Sequence, residues 1–148
     1  MSVELFRILL VEDNAADTYL FRKALEEAEL NFELTVIEDG AEALAFVRGE
    51  GDYAGRQSPD LAVLDLNLPK NEGTEVLAAL RQSEDLANMP VVITSSSPSP
   101  RDRMRTEQLR VQRYIMKPVN LADFMQIGTV LKEVLLESKA KRRSRQGA

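Results

Sequence analysis

The apolar residues of this chain fall into two rhythms that alternate from one end to the other. Short, nearly continuous apolar runs recur at Phe6-Arg7-Ile8-Leu9-Leu10-Val11, at Phe32 to Ile37, at Asp60 to Asp65, at Val91-Val92-Ile93-Thr94-Ser95 after Pro90, and at Val111 to Met116. Runs of this length without polar alternation predict strands covered on both faces. Between them lie segments with helical spacing. Asn14 is placed to cap a first helix, with Asp17 three residues on and Ala16, Leu20, Ala24 and Ala28 on one face. Asp39-Gly40-Ala41-Glu42 reads as a capping box opening a second helix through Val47. Residues 49–59 and 66–72 read as loops, and Gly73 to Ser83 carries Val76, Leu77 and Leu80 at helical spacing. Ser99-Pro100 suits the cap and first position of a fourth helix. Asn120 caps a last helix with Phe124, Ile127, Leu131, Val134 and Leu135 inward.

Five strand-then-helix units predict an α/β fold, a parallel sheet with helices on both faces and right-handed crossovers. In such sheets ligands bind beyond the carboxyl ends of the strands. The polar residues that interrupt the apolar pattern sit at those ends: Glu12 and Asp13, Asp65, Thr94 and Ser95, and Lys117.

Composition narrows the chemistry. The chain has 148 residues, which suits one domain. It has no cysteine and no histidine, which excludes disulfides, thiolate chemistry, imidazole bases and a phosphohistidine on this chain. No apolar run is long enough to span a membrane, and the N-terminus lacks a signal-peptide pattern, so a cytoplasmic protein is expected. The net charge of −5 hides five cations in the last ten residues, which leaves residues 1–138 acidic and argues against a nucleic-acid-binding surface. The basic end, Lys139 to Arg145, suits the negative pole of a helix C-terminus, but a frayed solvated end is the preferred reading.

Glu12, Asp13 and Asp65 would repel one another in a shared cleft, by up to ~4 kcal/mol per pair at ~4 Å and an effective dielectric of ~20. A hard dication such as Mg²⁺ relieves this, because it takes oxygen ligands and joins carboxylates to phosphates. A lysine at position 117 can neutralise the cluster and pair with a phosphate oxygen. A tight turn at Pro118 could fix a cis bond that aims it. Either Thr94 or Ser95 can donate a hydrogen bond to a phosphoryl oxygen, and the small Ser96 leaves room for one to enter. Carboxylate nucleophile, metal, hydroxyl and lysine together suit phosphoryl transfer to an aspartate.

The segments Leu9-Leu10-Val11-Glu12-Asp13-Asn14, Leu64-Asp65-Leu66-Asn67-Leu68-Pro69, Pro90-Val91-Val92-Ile93-Thr94-Ser95 and Tyr114-Ile115-Met116-Lys117-Pro118 resemble the receiver domains of two-component response regulators. The resemblance implies a doubly wound five-stranded parallel sheet of the flavodoxin-like (βα)5 type, strand order 2-1-3-4-5. It implies a receiver over residues 1–138 and a basic tail over 139–148. It makes Asp65 the phosphoacceptor, Asp13 a direct Mg²⁺ ligand, Glu12 a ligand through water and Asn67 a ligand through its backbone carbonyl. Ser95 becomes the switch hydroxyl, preferred over Thr94 on spacing, and Lys117 the phosphate-pairing lysine. Tyr114 becomes the aromatic switch, whose ring enters space vacated by Ser95.

The Asp65-Leu66-Asn67-Leu68-Pro69-Lys70 run, the long 49–59 loop and the Ser97-to-Asp102 segment resemble the regulators paired with bacterial phytochromes. That implies a sensor histidine kinase as donor, a downstream phosphotransfer or effector protein, and a homodimer through the fourth helix, fifth strand and fifth helix. No DNA-binding output domain is expected. The expected role is signalling, with self-phosphorylation from a donor and autodephosphorylation as its only chemistry, and Asn67 and Ser97 as modulators of the latter. Two other readings compete. A haloacid-dehalogenase-type phosphatase uses similar groups but needs an acid/base aspartate where this chain has Asn67. A phosphorylation-independent pseudo-receiver would not need Asp65, Asp13 and Lys117 intact.

Overall fold

The structure, a computed structural model, describes residues 4–68, 73–96 and 99–146. The elements follow the predicted alternation: β1 (Phe6–Val11), α1 (Ala15–Glu27), β2 (Phe32–Ile37), α2 (Gly40–Arg48), β3 (Leu61–Asp65), α3 (Gly73–Gln82), β4 (Val91–Ser95), α4 (Pro100–Gln108), β5 (Arg113–Met116) and α5 (Leu121–Gln146). All strand pairs are parallel and the order is β2-β1-β3-β4-β5, as the resemblance implies.

The expected caps form. Asn14 Oδ1 accepts from the Asp17 N–H at 3.0 Å, Asp39 Oδ1 from Glu42 at 2.7 Å, Ser99 Oγ from Asp102 at 3.1 Å and Asn120 Oδ1 from Asp123 at 2.9 Å. Each bond satisfies a backbone donor that the first helical turn leaves open.

The sheet separates two apolar layers. On one face Leu9, Val11, Leu64 and Ile93 pack with Phe46 of α2 and Val76, Leu77 and Leu80 of α3. On the other, Ile8, Leu10, Val63 and Val92 pack with Phe21 and Leu25 of α1 and with all five predicted inward residues of α5. Each fully buried Leu, Ile, Val or Phe side chain contributes about 1.5–3 kcal/mol relative to exposure. Phe21 and Phe124 meet edge to face at 5.0 Å and join α1 to α5.

The pattern reading misses in several places. The buried stripe of α1 is Phe21, Ala24 and Leu25, whereas Ala16 is exposed. The two large side chains bury more apolar area than the alanine series, so the helix turns toward them. The 49–59 loop contains a 3-10 turn at Gly51–Tyr53. β3 begins at Leu61; at Asp60 the backbone N–H still donates to the Arg7 carbonyl at 2.7 Å, but the return bond, from the Arg7 N–H at 2.8 Å, goes to the Asp60 carboxylate. β5 begins at Arg113, with the Gln112 side-chain oxygen taking the Val91 N–H at 2.7 Å.

The frayed basic end is also corrected. α5 runs unbroken to Gln146, carried by the good helix formers Lys, Arg, Ala and Gln and by cations at its negative pole. No described peptide bond is cis, so the bond suggested before Pro118 is trans.

α4 is held lightly. Thr106 is its one buried residue. Its C-terminal end is fixed by Arg81 of α3, which donates to the carbonyls of Leu109 at 2.8 Å and Arg110 at 2.9 Å. The same guanidinium donates to Met89 at 2.6 Å and Ala87 at 3.2 Å. Burial, with the neighbouring charge of Arg110, lowers Arg81 to about 10, so it stays cationic at neutral pH.

Gly128 on α5 faces Ala24 on α1, and a Cβ built there would overlap the Ala24 carbonyl. Gly128→Ala is therefore expected to destabilise the fold by about 1–3 kcal/mol through overpacking, read as a lower urea midpoint. An unchanged midpoint would show that the two helices separate at no cost.

Candidate phosphoacceptor and metal site

β1 and β3 are adjacent and parallel, so their last residues converge on one edge of the sheet. Glu12 follows β1 and its N–H donates to Ile37 of β2 at 2.9 Å. Glu12 is 1% exposed, and its Oε2 accepts the Asn14 N–H at 3.1 Å. Asp65 ends β3 at 3% exposure, and its Oδ1 accepts the Asn67 N–H at 2.8 Å. Asp13 is exposed at the rim. Glu12, Asp13 and Asp65 each offer an oxygen within 4.8 Å of the others.

Gly73 permits part of this. A Cβ on it would lie 2.6 Å from the Asp65 carbonyl oxygen and 2.7 Å from Leu66 Cα, so only glycine lets α3 begin this close to the end of β3.

Lys117 enters from two strands away. Its N–H donates to the Ser95 carbonyl at 2.9 Å, which aligns its stem along the end of β4. Its ammonium then reaches Glu12 Oε1 at 2.5 Å, Asp65 Oδ2 at 2.8 Å and Asp17 Oδ2 at 3.0 Å. Burial alone would lower the lysine's pKa, but hydrogen bonds to Asp65, Glu12 and Asp17 outweigh it and hold the group above its ordinary range. Burial pushes Glu12 up to about 7. Bonds from Lys117 and the Asn14 N–H oppose the rise, and the charge of Asp65 adds to it.

Thr94 and Ser95 are both buried, with different partners. The Thr94 hydroxyl points at the Leu64 carbonyl, 3.5 Å away on β3. The Ser95 hydroxyl faces the site, where the Asn67 side-chain amide approaches it at 3.5 Å. The phenol of Tyr114 is turned inward: its oxygen is buried beside Ser95, and burial raises its pKa. Arg103 of α4 covers the ring at 5.3 Å from its centre, in the range of a cation–π contact. The ring thus occupies the inward position already, where the sequence reading has it enter after Ser95 moves. Ser97, Pro69 and Lys70 lie outside the described residues.

The structure therefore brings Glu12, Asp13, Asp65, Asn67, Ser95, Tyr114 and Lys117 to one edge. It adds Asp17, which the sequence reading assigns only to the first turn of α1. The available signal is its spacing: four residues beyond Asp13, it returns to nearly the same side of the chain once the helix begins.

The donor set suits a small hard dication. Oxygens around Mg²⁺ at ~2.1 Å lie about 3–4 Å apart, a modest contraction of the observed carboxylate cluster.

The family described as response regulator receiver domain matches residues 8–128. The response regulator Rcp1 of Synechocystis sp. is 38% identical over 131 residues, 88% of this chain and 89% of that protein. The phosphorylated cyanobacterial phytochrome response regulator RcpA superposes with a TM-score of 0.83 at 41% identity, covering 90% of this chain and 95% of that one. The Mn²⁺-bound form of Rcp1 superposes with a TM-score of 0.81 at 38% identity, covering 89% and 95%. Among the described residues, no helix is long and apolar enough to cross a membrane.

A carboxyl whose pKa rises on folding takes up a proton, so its contribution favours the fold below its ordinary value and is lost as the pH climbs through the folded one. For Glu12 that window runs from about 4.5 to about 7. In chelator, the wild-type protein is expected to lose stability across this window, and Glu12→Gln to flatten that loss in denaturant titrations. Equal slopes for the two proteins would remove Glu12 as the source.

Proposed function

The chain belongs to the response regulator receiver family, and from that premise we propose that it is a phosphorylation switch whose phosphoacceptor is Asp65. The observation that carries this reading is the approach of Lys117 Nζ to 2.8 Å from Asp65 Oδ2 inside a cluster of carboxylates. A carboxylate so placed can attack phosphorus while an ammonium waits for one of its oxygens.

The donor is a phosphohistidine on another protein, because this chain has no histidine. Asp65 Oδ attacks the phosphorus, the P–N bond breaks as the P–O bond forms, and the freed imidazole takes a proton from solvent. Lys117 pairs with one phosphoryl oxygen and the Ser95 hydroxyl donates to another. Ser95 is chosen over Thr94 because the Thr94 hydroxyl is directed at a backbone carbonyl. Asp13, Glu12, Asp65 and the Asn67 carbonyl would hold Mg²⁺, which supplies charge neutralisation at the phosphoryl oxygens. Water later cleaves the acyl phosphate, releasing inorganic phosphate and resetting Asp65, with Asn67 and Ser97 as modulators of that rate.

The readout runs through Ser95, Tyr114 and α4. A bond from the Ser95 hydroxyl to the phosphoryl group changes what the Tyr114 phenol meets, and Arg103 connects that ring to α4. Met104 of α4, Met116 of β5 and Leu121 of α5 are large exposed apolar residues on the face assigned to a partner or a second copy. The similarity to Rcp1 and RcpA favours a phytochrome-type sensor kinase as donor.

Acetyl phosphate with Mg²⁺ is expected to add one phosphoryl group to the wild type, seen by intact-protein mass spectrometry. Asp65→Asn should show none while keeping its circular dichroism. An acid-labile phosphate surviving in that variant would refute the assignment. Mg²⁺ should also raise the melting temperature by linkage, and Asp13→Ala should weaken that rise. An equal rise in both proteins would move the metal elsewhere.

A further inference from the structure

We propose that Asp17 is a positioning residue that keeps Lys117 in the cleft while the lysine gives up Glu12 and Asp65 to a divalent cation and pairs with a phosphoryl oxygen. This rests on the phosphoacceptor reading above. An ammonium has three donors, and here three carboxylates lie within 3.0 Å of it. The three carboxylates differ in depth. The side chains of Glu12 and Asp65 are 0% and 4% exposed, and that of Asp17 is 24% exposed.

They also differ in what else they can hold. Glu12 and Asp65 belong with Asp13 to the group whose oxygens can share one metal ion, and Asp17 does not. The two deep partners of Lys117 are therefore the two that a dication would claim, and the outer partner stays free for the lysine.

The lysine cannot leave cheaply. Its side chain is 10% exposed and its N–H is tied to the Ser95 carbonyl. An ammonium held at such a depth without a partner is strongly disfavoured. Asp17 offers a carboxylate one small swing toward the mouth, so Lys117 can release the deep pair without ever being unpaired. From there the ammonium is poised beside the phosphoryl oxygens. Asp17 is itself held in place, because its N–H donates to the Asn14 cap at 3.0 Å in the first turn of α1. Without Asp17, the carboxylate partners of Lys117 among the described residues are Glu12 and Asp65, and it competes with the metal for both.

The test is calorimetric titration of MgCl2 into the full chain. Asp17→Asn is expected to weaken Mg²⁺ binding about fivefold, the scale of one partly exposed charge-assisted bond. Asp17→Glu, which restores a carboxylate, should bring affinity back to within about twofold.

The decisive arm is a double-variant cycle with Lys117→Gln. If Asp17 acts through the lysine, Asp17→Asn loses most of its effect in that background. The same loss with and without Lys117 would show that Asp17 acts on the metal by charge alone and would overturn the proposal, as would unchanged affinity in Asp17→Asn. Should Asp17→Asn unfold, Asp17→Ala in both lysine backgrounds reads the same coupling. A wild type that takes no phosphoryl group from acetyl phosphate would defeat the underlying reading instead. A phosphorylatable wild type with an inert position 17 would defeat this inference alone.

Discussion

The ammonium of Lys117 lies among the carboxylates of Glu12, Asp17 and Asp65, and the carboxyl edge of the sheet is built around that contact. Lys117 follows β5, Asp65 ends β3, and β4 runs between them. Adjacent strands are about 4.8 Å apart, so β5 and β3 lie roughly twice that distance from each other. An extended lysine and the Asp65 side chain span the gap between them, over the small Ser95 at the end of β4. The buried Glu12 is costly to ionise alone, and its proximity to a cation is what makes a charged cleft compatible with a folded core.

This arrangement leaves the site electrostatically primed. A cluster that is acidic even with the lysine present attracts a dication and tolerates one more anionic group only when that dication is there. In the function proposed above, the metal and the phosphoryl group depend on each other through the same carboxylates. Among the described residues, Lys117 is the cation that contacts both Glu12 and Asp65.

Beside this rigid edge lies a helix that is easy to move. α4 buries little more than Thr106, while Arg81 ties its C-terminal end to α3 and to the loop before β4. Arg103, one turn from the N-terminal end, touches Tyr114, and the Tyr114 phenol lies beside Ser95. A helix anchored at one end, with few apolar contacts to lose, needs only a small difference in interaction between two states to change its population. The strongly polar sequence of α4, an oddity when read by itself, matches that shallow anchoring.

The alternating pattern was enough to read five parallel strands, five helices, their caps and the inward face of α5. These features follow from local chemistry: side-chain oxygens at helix starts, and apolar residues repeating with the period of the element that buries them. The acids at the ends of β1 and β3 and the lysine after β5 were legible for the same reason, since each breaks an apolar run. What required the tertiary structure depends on distance across the chain. Asp17 and Lys117 are 100 residues apart, and nothing local makes them partners. Spacing in the sequence favours Ser95 over Thr94, but only the neighbouring strands give one hydroxyl a carbonyl and the other the site. Sequence alone determined which groups are available for phosphoryl chemistry and on which edge they gather. Folding decided which of them touch, because hydrogen bonds and ion pairs are set within a few tenths of an ångström, by packing that no single segment contains.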